Sequence, residues 1–191
     1  MTLSKTQFRK NSLKKIQNAP TYNRLYKNWL IEKELYRVLK EKKNHKILFY
    51  YPLKFEANIL KTLKRMRRSC EIYIPFMEGE SFKMVPFRLP LSRKRFDIFE
   101  AGNTNRIIKK IDIAIVPAVG VDGNLQRVGF GKGMYDRFFE KLQKRPYTIF
   151  VQPELCYTTE LLCDAHDIYC ERLITPTKVI TKKARIRNIG N

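Results

Sequence analysis

Five glycines, at 120, 123, 129, 131 and 133, stand between an apolar run and a helix-like segment, and this stretch limits the possible folds most. The run from Ile111 to Val116 is broken only by Asp112. Such a run reads as a strand buried on both faces, which calls for cover on both sides of a sheet. After the glycines, Met134, Tyr135, Phe138, Phe139 and Leu142 recur at helical spacing, with Asp136, Arg137, Glu140 and Lys141 between them. Strand, glycine-rich turn and helix together bring backbone N–H groups up to a phosphate. Glycine permits the close approach, and the helix start adds partial positive charge. Arg127, Lys132 and Arg137 add full charges in the same place. The spacing is neither the dinucleotide fingerprint, whose third glycine falls later, nor a P-loop, which needs Gly-Lys-Ser/Thr. Against a merely solvated connector stands the crowding of glycines, cations and Asp136 at one helix start.

The remaining chain alternates strands and helices. A basic amphipathic helix is expected over 3–18, ending before Pro20, and a longer one over about 21–43. The Tyr22, Leu25, Tyr26, Trp29 stripe of the latter reads as core, and His45 after it as solvent-exposed. Strands are expected at Ile47–Tyr51, Glu71–Pro75, Ser81–Phe87 and Pro146–Val151, with a last short one after Lys178. Helices are expected around Ile59–Met66 and Leu155–Leu162. The pattern predicts an α/β fold: a single three-layer domain over 1–191, its mainly parallel central sheet flanked by helices, with a basic tail from about 181. Ligands in such sheets lie beyond the carboxyl ends of the strands.

A chain of 191 residues with 43% hydrophobic content is long enough to bury a core. It has no apolar run long enough to span a membrane and no signal-peptide core, so a cytoplasmic monomer is expected. Cysteines 70, 156, 163 and 170 read as reduced thiols. Cys163, His166 and Cys170 lack the paired spacing of a zinc site. The net charge is +21, and residues 1–70 hold 19 Lys+Arg against 4 Asp+Glu. That excess favours anionic company without choosing among nucleic acid, membrane surface and phosphorylated substrates.

The motif Arg127-x-Gly129-x-Gly131-x-Gly133-x-Tyr135-Asp136, after Val116-Pro117 and with Asp122 five residues before Arg127, resembles the 5-formyltetrahydrofolate cyclo-ligase family. Val128 and Met134 depart from the residues usual there. Elsewhere, Lys5-x-x-x-Arg9 is similar to the family's opening, and Tyr51-x-x-x-x-Glu56 to its folate-lining segment. Met84 and Phe87 resemble a folate-side strand, and Phe96 to Glu100 a segment in which Ala101 replaces proline. Ala165 to Pro176 is similar to the closing segment, with Glu171 in place of aspartate.

The resemblance implies ATP- and magnesium-dependent conversion of 5-formyltetrahydrofolate, mono- or polyglutamylated, to the 5,10-methenyl form. It implies an ATP site of Lys5, Arg9, Arg127, Gly129, Gly131, Lys132, Gly133 and Tyr135, with Arg127 and Lys132 catalytic. Folate would meet Glu56, Phe130, Gly131, Lys132, Gly133 and Met134; Mg2+ would meet Asp136 and Glu171. The residues themselves leave Glu56 open between pterin recognition and complementing a helix start, and Tyr135 between a ligand and the core. No Ser or Cys has a plausible His partner, which fits chemistry in which the substrate attacks phosphorus itself. The alternatives are a basic nucleic-acid-binding protein, disfavoured because its aromatics read as buried, and a sugar-phosphate enzyme on a similar scaffold.

Overall fold

In a computed structural model, the described residues are 3–89, 91–93, 99–100, 108, 110–182 and 185–188. Among them the elements run α1 (Lys5–Gln17), a 3-10 turn (Thr21–Asn23), α2 (Arg24–Leu39), β1 (Lys46–Leu48), α3 (Leu60–Met66), β2 (Glu71–Glu78) and β3 (Ser81–Pro86). There follow β4 (Ser92–Arg93), β5 (Phe99–Glu100), β6 (Ile113–Pro117), β7 (Gly120–Val121), β8 (Arg127–Val128), α4 (Met134–Glu140) and β9 (Tyr147–Val151). The chain closes with β10 (Arg172–Ile174), β11 (Lys178–Thr181) and β12 (Arg185–Asn188). The Glu100 side chain, Ala101 and the Gly102–Asn105 loop lie outside the described residues.

The main sheet has the order β12-β11-β10-β9-β6-β1-β2-β3. Its five central strands are parallel, while β3, β11 and β12 join the edges antiparallel. Alternation along each central strand divides the core into two faces. Ile113, Ile115, Ile149 and Val151 pack with Ile31, Leu35, Leu39 of α2 and Leu63, Met66 of α3. Ala114, Val116 and Phe150 turn to the other face, with Phe138 of α4. The uninterrupted apolar strands thus report two covered faces, as expected. No helix among the described residues is long and apolar enough to cross a membrane.

Three expectations need correction. Leu155–Leu162 forms no helix, because its backbone serves its neighbours. Cys156 C=O accepts the Val121 N–H, Thr158 N–H donates to Val121, and Glu160 C=O accepts the Gly123 N–H. The aromatic stripe at the start of α2 is not core: Tyr22 is 80%, Leu25 83%, Tyr26 54% and Trp29 49% exposed. Here α2 has run past the strands. Asn28 and Glu32 on it instead accept backbone N–H groups of Asn58, Lys61 and Thr62. His45 is half-buried, with Nδ1 2.8 Å from the Lys43 carbonyl. The four cysteines are free, as expected.

Candidate active site

Beyond the carboxyl ends of β1, β2 and β6 lies a cavity of about 310 Å3. Its walls bring together Glu56, Arg127, Phe130, Lys132, Gly133, Met134 and Tyr135, residues far apart in sequence. Tyr50, Tyr51, Pro75, Met77 and Phe82 complete a flat-sided apolar slot.

Asp122 holds the turn ahead of Arg127. It is fully buried, and its Oδ1 accepts the N–H groups of Asn124 and Gln126 while Oδ2 accepts those of Leu162 and Cys163. Four donors on one carboxylate fix the turn that leads into Arg127. In the sequence Asp122 serves only as a spacing marker; its place in a Val-Asp-Gly turn is the signal that could have revealed this role.

Arg127 is 6% exposed, its Nε donates to the Pro117 carbonyl at 2.8 Å, and its guanidinium lies 4.9 Å from the Tyr135 ring centre. Burial lowers its pKa, and Asp136, Tyr135, Glu56 and Asp167 offset this only in part. Glycine at 129 is required by this seat, since a Cβ there would stand 2.5 Å from Arg127 Nη1. Gly131 (φ +98°) and Gly133 (φ +59°) adopt backbone that other residues rarely take, turning the loop into α4. With seven residues, α4 is short, so charge in the loop rests chiefly on Arg127 and Lys132. Arg137 is no free cation there: it donates to the carbonyls of Glu80 and Lys132 and ties the loop to the β2–β3 turn.

Glu56 is 7% exposed and accepts the Leu53 N–H at 2.9 Å. Its helix-start role is absent, because α3 begins only at Leu60. Burial raises its pKa from 4.5 to about 7, with the Leu53 hydrogen bond and Arg127 pulling the other way. Tyr135 combines the ligand and core roles: it lines the cavity and packs edge-on to Phe82, 4.9 Å between ring centres. Burial, and then Glu56, push its hydroxyl well above the usual range.

The opening helix reaches the same place. Arg9 Nε donates to the Gly129 carbonyl at 2.9 Å, and Phe8 packs on Gly120, where a Cβ would come within 2.5 Å of its ring. Lys5 is held by carboxylates: it donates to Asp164 at 3.1 Å and to Asp167. Burial opposes its charge, but these hydrogen bonds raise its pKa overall.

The acids divide. Asp136 Oδ1 accepts the Ile168 N–H at 3.2 Å, next to Asp167. The acidic or histidine side chains that converge closely enough for a cation, among the described residues, are Asp164, His166 and Asp167, with Lys5 already on two of them. Glu171 is not brought to Asp136. It sits at the amino ends of β9 and β10, where Arg145 donates to Oε1 at 2.6 Å and the Thr148 N–H to Oε2 at 2.7 Å. Glu171, expected to meet Mg2+, is here ion-paired with Arg145. Nor do Cys163 and Cys170 converge with His166, since Cys170 is buried in the core.

Fold and cavity together define an α/β protein with a cavity of small-molecule size beyond the carboxyl ends of its parallel strands. The chain belongs to the 5-formyltetrahydrofolate cyclo-ligase family, whose sequence pattern matches residues 1–176. It is similar to the probable 5-formyltetrahydrofolate cyclo-ligase of Schizosaccharomyces pombe, 27% identical over 146 residues that cover 61% of this chain and 72% of that one. The solution structure of Aquifex aeolicus 5,10-methenyltetrahydrofolate synthetase matches with a TM-score of 0.79 at 25% identity, over 98% of this chain and 96% of that one. A 5,10-methenyltetrahydrofolate synthetase from Mycoplasma pneumoniae shares the fold, with a TM-score of 0.68 at 22% identity over 91% and 99% of the two chains. The enzyme class expected from the glycine motif is the family's own.

Proposed function

We propose that this chain closes 5-formyltetrahydrofolate to 5,10-methenyltetrahydrofolate while cleaving ATP to ADP and phosphate. The observation that carries this reading is one cavity with a buried carboxylate on one wall and the Arg127–Lys132 glycine loop on the other. A pterin offers a ring N–H beside an amino group, a donor pair that suits the Glu56 carboxylate. Apolar walls at Tyr51, Met77 and Phe130 suit its flat body.

In the reaction, the formyl oxygen attacks the γ-phosphorus and the bond to the β–γ bridging oxygen breaks, releasing ADP. N10 then attacks the formyl carbon, phosphate departs with that oxygen, and N10 gives up its proton. The protein supplies position and charge. Arg127, fixed by Pro117 and Tyr135, holds a charge at a set place; Lys132 at the rim neutralises the moving phosphoryl group; Gly129, Gly131 and Gly133 let the nucleotide's phosphates approach the backbone. Arg9 and Lys5 bring α1 over the nucleotide, Lys5 exchanging its hold on Asp164 and Asp167 for a phosphate. Phe130 and Met134 cover the folate. A magnesium ion is commonly held by one or two carboxylates plus the phosphates themselves. Asp136, with one oxygen beyond its Ile168 bond, fits that role. The ion would supply charge neutralisation across the phosphates. Substrate labelled with 18O in the formyl group tests the route: the label must appear in released phosphate, and label retained in water or folate overturns it.

A second reading gains one observation. The Tyr22, Leu25, Tyr26 and Trp29 side chains are exposed, so one ground for setting aside a nucleic-acid partner is removed, while the sequence still carries no recognised nucleic-acid motif. RNA affinity falling steeply with salt and lost in Trp29→Ala would support it; salt-insensitive or absent binding would dismiss it.

A further inference from the structure

A second cavity opens at the other end of the sheet, by the amino ends of β1, β6, β9 and β10. At about 680 Å3 it is more than twice the size of the first, at about 310 Å3. Ile111, Ile113 and Ile149 beneath it are buried, so its accessible apolar surface is that of half-buried Val38 and of Tyr147, 40% exposed. Its charged lining is six cations, Arg37, Lys42, Lys110, Lys144, Arg145 and Arg172, and the single acid Asp112.

The fold uses some of this charge. Arg37 is paired with Glu34 and Arg145 with Glu171, while Asp112 accepts the Lys46 N–H. The three lysines, Lys42, Lys110 and Lys144, are uncompensated: they make no ion pair among the described residues. Arg172 has one nitrogen 4.0 Å from Glu34, and its Nε, shut away from solvent, has no acceptor. These cations line one concave cavity.

We propose that this cavity is a second ligand site, taking an organic polyphosphate of the nucleotide class. Its phosphates lie among Lys42, Lys110, Lys144 and the Arg172 guanidinium, and its flat body stacks on Tyr147 beside Val38. Separate ammonium groups ringing a cavity suit a branched or chained anion with charge at several points, more than a lone carboxylate gripped by one arginine fork. A body with a flat face accounts for the exposed Tyr147 ring beside the cations, which a free inorganic anion would leave unused. The site faces away from the glycine loop, so it can fill independently of it.

Calorimetric titration of the full chain at low salt tests this, with the non-hydrolysable ATP analogue adenylyl imidodiphosphate plus magnesium, and separately with inorganic tripolyphosphate. The analogue is expected to bind a site that survives Lys132→Ala and weakens roughly tenfold or more in the exposed-surface double variant K42E/K144E, whose folate turnover stays at the parent level. Tyr147→Ala is expected to weaken the analogue and leave tripolyphosphate unchanged. A binding profile sensitive to Lys132→Ala alone overturns the proposal, as does analogue affinity no greater than that of tripolyphosphate. A site lost only in K42E/K144E, with no Lys132-dependent site, would support this inference while removing the nucleotide from the proposed active site.

Discussion

Replacing Glu56 with glutamine isolates what burying a carboxylate beside the pocket costs the fold. In the folded chain burial raises its pKa from 4.5 to about 7, so it ionises less readily than in the unfolded chain. Between those values the folded state holds the extra proton, so stability falls as pH rises through this window and levels off above it. At about 1.4 kcal/mol per unit of pKa displacement, the full cost above pH 7 is about 3 kcal/mol, a sizeable share of a domain's usual 5–15 kcal/mol. The glutamine amide keeps an oxygen for the Leu53 N–H and carries no charge, so Glu56→Gln escapes the penalty. Urea unfolding of parent and variant from pH 5 to 8.5 is the assay. The stability difference, about 1 kcal/mol at pH 5, should grow in the variant's favour to about 3 kcal/mol by pH 8 while folate affinity falls. A difference that does not change with pH, or a variant less stable at pH 8, refutes the buried-carboxylate reasoning.

Other substitutions probe separate parts of the site. Gly129→Ala places a methyl within 2.5 Å of the Arg127 guanidinium, and kcat/KM should drop about a hundredfold with circular dichroism unchanged. Lys132→Ala should lower kcat by about 10²–10³ with a far smaller effect on folate binding; equal losses in both would deny it a role in the transition state. Asp122→Ala strips a carboxylate that serves four backbone N–H groups, and chemical denaturation should show a loss of about 4 kcal/mol or no folded protein.

The sheet and the glycine loop are readable in the sequence because both depend on local rules. Strands such as Ile113–Pro117 are apolar throughout because each face meets its own core, and Gly131 and Gly133 mark backbone that other residues avoid. Glu56, Arg127 and Tyr135 are legible too, although only the fold shows them sharing one cavity. What the sequence hides depends on distant partners. The periodicity at Tyr22–Trp29 is genuinely helical, but periodicity cannot say where a helix overruns the sheet it covers. Leu155–Leu162 has helical spacing, yet Asp122 and β7 claim its backbone groups and hold it extended. Glu171 matches a position by spacing, while Arg145, 26 residues away, determines where its carboxylate points. Likewise nothing near Lys5 in sequence announces Asp164 and Asp167.

The most direct test is absorbance in the ultraviolet band of the methenyl product, followed with purified protein while 5-formyltetrahydrofolate, ATP and magnesium are each withheld in turn. The account predicts product only when all three are present, with one ADP formed per folate closed. Product without ATP, or ATP cleavage that ignores folate, would contradict it.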